Sequence, residues 1–151
     1  MADAKPLRLK AEDSEDLKVV SAALQDAVGQ LGDFVFDAKT RTFTFAVNRF
    51  RWEAQPSRRG ERVRTAVQAG SVLAAKSRNL KLGQPDAVVA LLALSFEPGE
   101  QEPGGQLILT FSGDGELRLS VECIDLVMAD VSEPWRARVK PGHRFEEEEG
   151  R

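Results

Sequence analysis

Phe34-Val-Phe-Asp-Ala-Lys-Thr-Arg-Thr-Phe-Thr-Phe-Ala-Val-Asn-Arg-Phe-Arg-Trp-Glu53 can be laid on Ile108-Leu-Thr-Phe-Ser-Gly-Asp-Gly-Glu-Leu-Arg-Leu-Ser-Val-Glu-Cys-Ile-Asp-Leu-Val127. Each stretch reads as a strand, a polar turn and a longer strand. Phe43, Phe45 and Val47 match Leu117, Leu119 and Val121. Both copies then change phase, because Phe50 and Trp52, like Ile124 and Leu126, fall on even positions after an odd-numbered apolar run. A slip of one residue moves a strand's side chains to its other face, so the flip predicts a bulge or sharp bend near Asn48 and near Cys123. A bend repeated in two hairpins predicts a mainly β fold. The expected form is a curved antiparallel sheet, closed as a barrel or a sandwich and built on a duplicated hairpin unit, with α+β as the alternative.

Outward from these hairpins, Leu7 to Lys10 alternates as a short strand. Leu17, Val20, Leu24 and Val28 recur at helical spacing after Asp13 and Ser14, either of which suits an N-cap. The expectation is one short helix over 14–28 stopped by Gly29, with a strand over 17–28 as the competing reading. Val63, Thr65 and Val67, then Val72 and Ala74, alternate around a turn or bulge at Gly70-Ser71. Ala87 to Phe96 is nearly all apolar and reads as a central strand buried on both faces, or else a buried helix. Residues 97–105 form an acidic, Pro/Gly-rich loop, Ser112-Gly-Asp-Gly is a hairpin turn, and 132–145 read as an irregular wrap. The chain reads as one domain over 1–151, with loose ends at about 1–6 and 146–151.

A chain of 151 residues, 42% hydrophobic and 30% charged, suits a single soluble domain with its own core. The lone Cys rules out an internal disulfide and fits a reducing compartment. Neither a signal-peptide pattern nor a span of membrane length is visible, so the expected location is the cytoplasm.

Arginine is the most concentrated chemical feature. Arg49, Arg51, Arg58, Arg59, Arg62 and Arg64 stand close together, opposed only by Glu53 and Glu61. Arg49 and Arg51 share one face of a strand and Phe50 and Trp52 the other. Such a strip either matches phosphate oxygens in bidentate geometry or is a solvated face paired with acids. The net charge of −3, the acidic loop and the Glu146–Glu149 run argue against nucleic acid as partner. Asn48 at the phase change is either a polar site residue or a satisfier of backbone groups at a bulge. Asp26, Asp33, Asp37 and Asp130 match no metal-loop spacing, so no metal and no cofactor is assigned. His143 reads as a surface residue, Cys123 as a buried and slow-reacting thiol, and Trp52 and Trp135 as packing anchors. No nucleotide-binding glycine loop, nucleophile elbow or Cys-x-x-Cys is present.

Ala11-Glu-Asp-Ser-Glu-Asp-Leu17, Ser21-Ala-Ala-Leu-Gln-Asp-Ala-Val28, Asn48-Arg-Phe-Arg-Trp-Glu53, Val121-Glu-Cys-Ile124 and Pro134-Trp135 resemble the bacterial domain-of-unknown-function family numbered 2948. The resemblance covers nearly the whole chain. It implies a small single-domain bacterial protein with a housekeeping cytoplasmic role, and it brings no activity, ligand or catalytic residue with it. The functional expectation is a non-enzymatic protein-interaction module with an unidentified protein partner and no membrane. The alternative is a small-molecule or phosphate-ligand binder, with or without enzymatic activity, built on Asn48, Arg49, Arg51 and Asp26.

Overall fold

The computed structural model describes residues 5–54 and 60–137. The chain runs β1 (Arg8–Ala11), α1 (Ser14–Ala23), β2 (Ala27–Gln30), a 3-10 turn at Leu31–Asp33, β3 (Phe34–Asp37), β4 (Thr42–Phe50), β5 (Glu61–Ala69), β6 (Val72–Arg78), β7 (Val88–Pro98), β8 (Gly105–Phe111), β9 (Glu116–Val121), β10 (Leu126–Asp130) and β11 (Trp135–Arg136). The strands form one antiparallel sheet of 11, ordered β1-β10-β5-β4-β2-β7-β8-β9-β6, with β3 also on β4 and β11 also on β5. The sheet is not closed: β1 and β6 end the path. Its two halves meet where β2 crosses from β7 onto β4, through one pair, Val28 opposite Asn48. The sheet bends so far that apolar side chains of both halves share one core, with Phe45, Val67 and Met128 from one and Leu91, Leu109 and Leu119 from the other.

The helix is shorter than its apolar spacing predicts. Asp13 caps it, accepting from the Asp16 N–H at 2.8 Å, and Asp16 reaches back to the Glu12 N–H at 3.0 Å. It stops at Ala23 because Asp26 takes a left-handed conformation (φ 64°) and gives its N–H to the Leu91 carbonyl. Ala27 onward then pairs with β7. Helix and strand readings of 14–28 therefore each hold for part of the segment, and Gly29 lies inside a strand rather than at a helix end.

Of the two expected bends only the second is present: the chain bends at Glu122 and Cys123 on leaving β9, whereas β4 runs straight through Asn48. β4 and β5 stay in unbroken register from Phe43–Ala69 to Phe50–Arg62. Phe43, Phe45, Val47 and Arg49 all lie inward and buried, so the strand does not flip at Asn48. Phe50 is buried for another reason: the chain folds back over the outer face and sets Gly60, Trp52 and Arg62 against its ring. In the second hairpin β9 ends at Val121, and Leu126 begins a new strand between β1 and β5. The two hairpins also differ in register, since Phe34 faces Phe45 whereas Ile108 faces Arg118 rather than Leu119. The registers therefore do not carry the duplication. Bulges instead lie between Val72 and Ala74 and between Leu91 and Ala93. The second puts both Leu91 and Leu94 in the core and leaves Val88 and Leu92 exposed, so β7 is central in the sheet but not buried on both faces.

Candidate functional site

The four described arginines of the six, Arg49, Arg51, Arg62 and Arg64, do not form one strip. Antiparallel register sets Arg62 opposite Phe50 and Arg64 opposite Asn48, so these two occupy the outer face. Arg49 continues the inward row of Phe43, Phe45 and Val47. Arg58 and Arg59 lie outside the described residues, as do His143 and the Glu146–Glu149 run.

Arg49 is fully buried and uses all five of its N–H donors. Nε and Nη2 bind the two oxygens of Asp130, each at 2.9 Å. Nη1 and Nη2 bind the two oxygens of Glu53 at 3.0 and 2.7 Å, and Nη1 also reaches the Phe50 carbonyl at 3.2 Å. Asp130 fills its four acceptor sites with Arg49 twice, the Thr65 hydroxyl at 2.8 Å and the Leu7 N–H at 2.9 Å. The hub thus ties the start of β1, β4, β5, β10 and the turn after β4. A buried charge is tolerated only when paired and hydrogen-bonded, and here every group is. Burial pushes the Asp130 and Glu53 carboxyls up, but the hydrogen bonds and charge of Arg49, joined by the Leu7 N–H and Thr65 hydroxyl at Asp130 and by a backbone N–H and the Arg51 charge at Glu53, together outweigh it and hold both below their ordinary values. Burial likewise disfavours the Arg49 guanidinium, and the two carboxylates more than reverse that.

The other expected site residues stand nearby with their own partners. Arg51 is 8% exposed and pairs with Glu61. Asn48 accepts from Arg64 Nη1 at 3.1 Å with its side chain and from Arg62 Nη1 at 3.0 Å with its carbonyl. Arg64 also binds Asp33 at 3.0 Å. Asp26 is half-buried in the turn between α1 and β2, next to Gln25, whose carbonyl accepts from Trp52 Nε1 at 3.3 Å. Of Asp26, Asp33, Asp37 and Asp130, only Asp130 joins the hub, and among the described residues no three His, Cys, Asp or Glu side chains group as metal ligands. The Thr65 and Glu53 contributions to the hub went unforeseen. The usable signal was parity, because Asp130 continues the inward row of Leu126 and Met128 just as Arg49 continues that of Phe45 and Val47. A charge at the end of an apolar row on each of two strands marks a buried pair.

Three expectations about single residues change. Cys123 is not in a strand but in the connection between β9 and β10, and it is half-buried. Trp52 packs edge-on against Phe50, with ring centroids 4.6 Å apart, whereas Trp135 keeps 42% of its surface in solvent and anchors no core. Glu97 belongs to β7 and pairs with Arg118 at 3.1 Å, which shortens the acidic loop.

The outer face of β10, β5 and β4 is the other notable surface. Ala129, Ala66 and Ala46 lie side by side across it, with Val127, Gln68 and Thr44 in the next row. These small side chains leave an open trough of about 350 Å³, bordered by Arg8 and Lys10 of β1. Val127 is 43% exposed within it.

The fold and these surfaces define a small antiparallel β protein with one helix among the described residues, a buried arginine–carboxylate hub and a sheet face that no described element covers. The chain belongs to the family of proteins of unknown function designated DUF2948, whose model matches residues 7–143. Comparison with curated proteins and with solved structures found no match. No helix among the described residues is long and apolar enough to cross a membrane.

Proposed function

We propose that this protein is a non-enzymatic interaction module whose partner protein lies across the outer face of β4, β5 and β10. The observation that carries the reading is the trough floored by Ala66 and Ala129, with Val127 43% exposed in it and Arg8 and Lys10 at its border, which no described element covers. Small residues let a partner's backbone or side chains approach closely. Exposed Val127 beside Arg8 and Lys10 supplies an apolar anchor with a charged rim of the kind protein interfaces use. The phosphate-ligand alternative on Arg49 and Arg51 has less support, because a phosphate would have to displace Asp130 and Glu53 from a guanidinium whose donors are all engaged.

Ala66→Arg tests the reading. The new side chain fills the trough yet stays on a solvated strand face, so the fold tolerates it. Tagged wild type should capture a defined partner that Ala66→Arg loses and that Glu100→Lys, a change in the distant β7–β8 loop, retains. Identical captured proteins for all three chains would remove the outer face from consideration.

A further inference from the structure

Strand parity gives the outer face of β1, β10, β5 and β4 charge of one sign. Antiparallel register sets Arg8 beside Ala129 and Ala129 beside Ala66, and in the next row Lys10 beside Val127 and Val127 beside Gln68. Arg62 and Arg64 continue the outward positions of β5. Arg8, Lys10, Arg62 and Arg64 are the charged residues at outward positions of these four strands, and all are cations. The two carboxylates of the same strands, Glu61 and Asp130, belong to the inward row, where Arg51 and Arg49 hold them. The chain as a whole carries a net charge of −3, so this positive face is a segregated patch rather than general basicity.

Two acids that flank these strands are already engaged. Glu12 binds Lys10 at 3.1 Å and Asp33 binds Arg64 at 3.0 Å. Arg8 is exposed and pairs with no carboxylate among the described residues. Arg8 and Lys10 stand two residues apart on one strand face, hence about 7 Å apart along it. An extended polypeptide repeats its same-side side chains at that spacing. Both cations border the trough, whose floor beside them is Val127, Ala129 and Ala66.

We propose that the partner enters this trough with an extended acidic segment. It carries glutamate or aspartate at every second position, with the carboxylates on Arg8 and Lys10 and the intervening apolar side chains over Val127 and Ala66. The proposal rests on the interaction-module reading and names the chemistry of that partner. Charge complementarity selects the occupant. A second copy of the chain would set this cationic face against another cationic face. A nucleic acid would extend past the patch to the carboxylates of a net acidic chain, whereas a short segment stays within the ~8 Å Debye length of Arg8 and Lys10. Lys10 must exchange Glu12 for the incoming carboxylate, so Arg8 is the stronger anchor.

The test is an amide NMR titration of the full chain with three probes: a capped peptide of alternating glutamate and valine, its glutamine–valine counterpart, and a thymidine decanucleotide. The glutamate peptide should shift the amides of Ala66, Val127 and Ala129 saturably, and raising salt to about 0.5 M should weaken it. Arg8→Gln should weaken it about threefold to fivefold, the upper range for one exposed ion pair. Glu12→Gln should tighten it by releasing Lys10. Arg8 and Glu12 are both exposed, so the fold tolerates either change. The proposal is overturned if neither peptide shifts these amides, if the glutamine peptide binds equally well, if Arg8→Gln leaves the affinity unchanged, or if the decanucleotide binds the same amides more tightly. Equal binding of the two peptides would remove the acidic partner and leave the interaction face standing, which the capture experiment with Ala66→Arg decides separately.

Discussion

Arg49 and Asp130 are joined by two parallel hydrogen bonds of 2.9 Å, Nε to Oδ1 and Nη2 to Oδ2, between side chains 0% and 2% exposed. The pair lies at the end of the core where β4, β5 and β10 converge. Losing one partner leaves a buried charge without its match, whereas replacing both with apolar residues need not. Asp130→Ala should therefore cost about 3–5 kcal/mol. Arg49→Met with Asp130→Leu together should cost clearly less than the two single changes summed, since Glu53 is 40% exposed and can turn to water. Urea denaturation of the four chains measures this. An Asp130→Ala cost below about 1 kcal/mol would mean the pair is not held as described.

Acid should loosen the hub. Asp130 and Glu53 both titrate below their ordinary values of 3.8 and 4.5 in the folded protein. A carboxyl depressed by folding adds stability above its unfolded pKa and loses it as pH falls through the folded one. Stability should thus be level from neutral pH to about 5, then fall below 4.5 and further below 3.8. Arg49→Met should shrink that fall without removing it, because Glu116 is likewise held low by its hydrogen bonds with Arg118 and Arg78. Denaturation midpoints at pH 7, 5, 4 and 3 give the curve, and an equal decline in wild type and Arg49→Met contradicts the assignment.

Gly60 has φ +74° and lies flat on the Phe50 ring, where a Cβ would be built into the ring itself. Gly60→Ala meets both backbone strain and a steric conflict, and should destabilise by about 1–3 kcal/mol. Phe50→Leu in the same chain should recover part of the steric share but none of the backbone share. Thermal melts of the two single variants and the double variant separate the two shares, and a neutral Gly60→Ala would show that the turn over Phe50 adjusts freely.

Cys123 sits half-buried in the connection between β9 and β10, outside the strand that would have shielded it. A thiol reagent should label it fully in native buffer, more slowly than in denaturant. Labelling that requires denaturant would place the thiol inside the core.

The strands, their turns and the helix cap were legible because each rests on a local rule. Alternation marks β4, β5 and β9, the Ser112-Gly-Asp-Gly turn marks the second hairpin, and Asp13 caps α1. The misread points all depend on what lies opposite. Phe50 looked like a phase change because burial on the outer face by Gly60 and Trp52 imitates a flipped strand. Leu24 to Val28 kept helical spacing, yet pairing with β7 won the last residues for β2. The arginines looked like one strip because their neighbouring positions hid the register that sends Arg49 inward and Arg64 outward. The opening between β3 and β6 had no sequence signal, since its walls come from strands far apart in the chain.

Composition and periodicity alone determined that this chain is β-rich, capped by one short helix and large enough for a single core. Alternation with period two and turn chemistry act within a few residues and need no partner. Tertiary structure alone decided that the sheet stays open, that Arg49 is sealed between Asp130 and Glu53, and that β3 and β6 leave an apolar opening between them. Those outcomes depend on the register between strands and on which edge meets which. A strand carries its pattern of faces in its own residues, but its partner is chosen by the free energy of the whole packed chain.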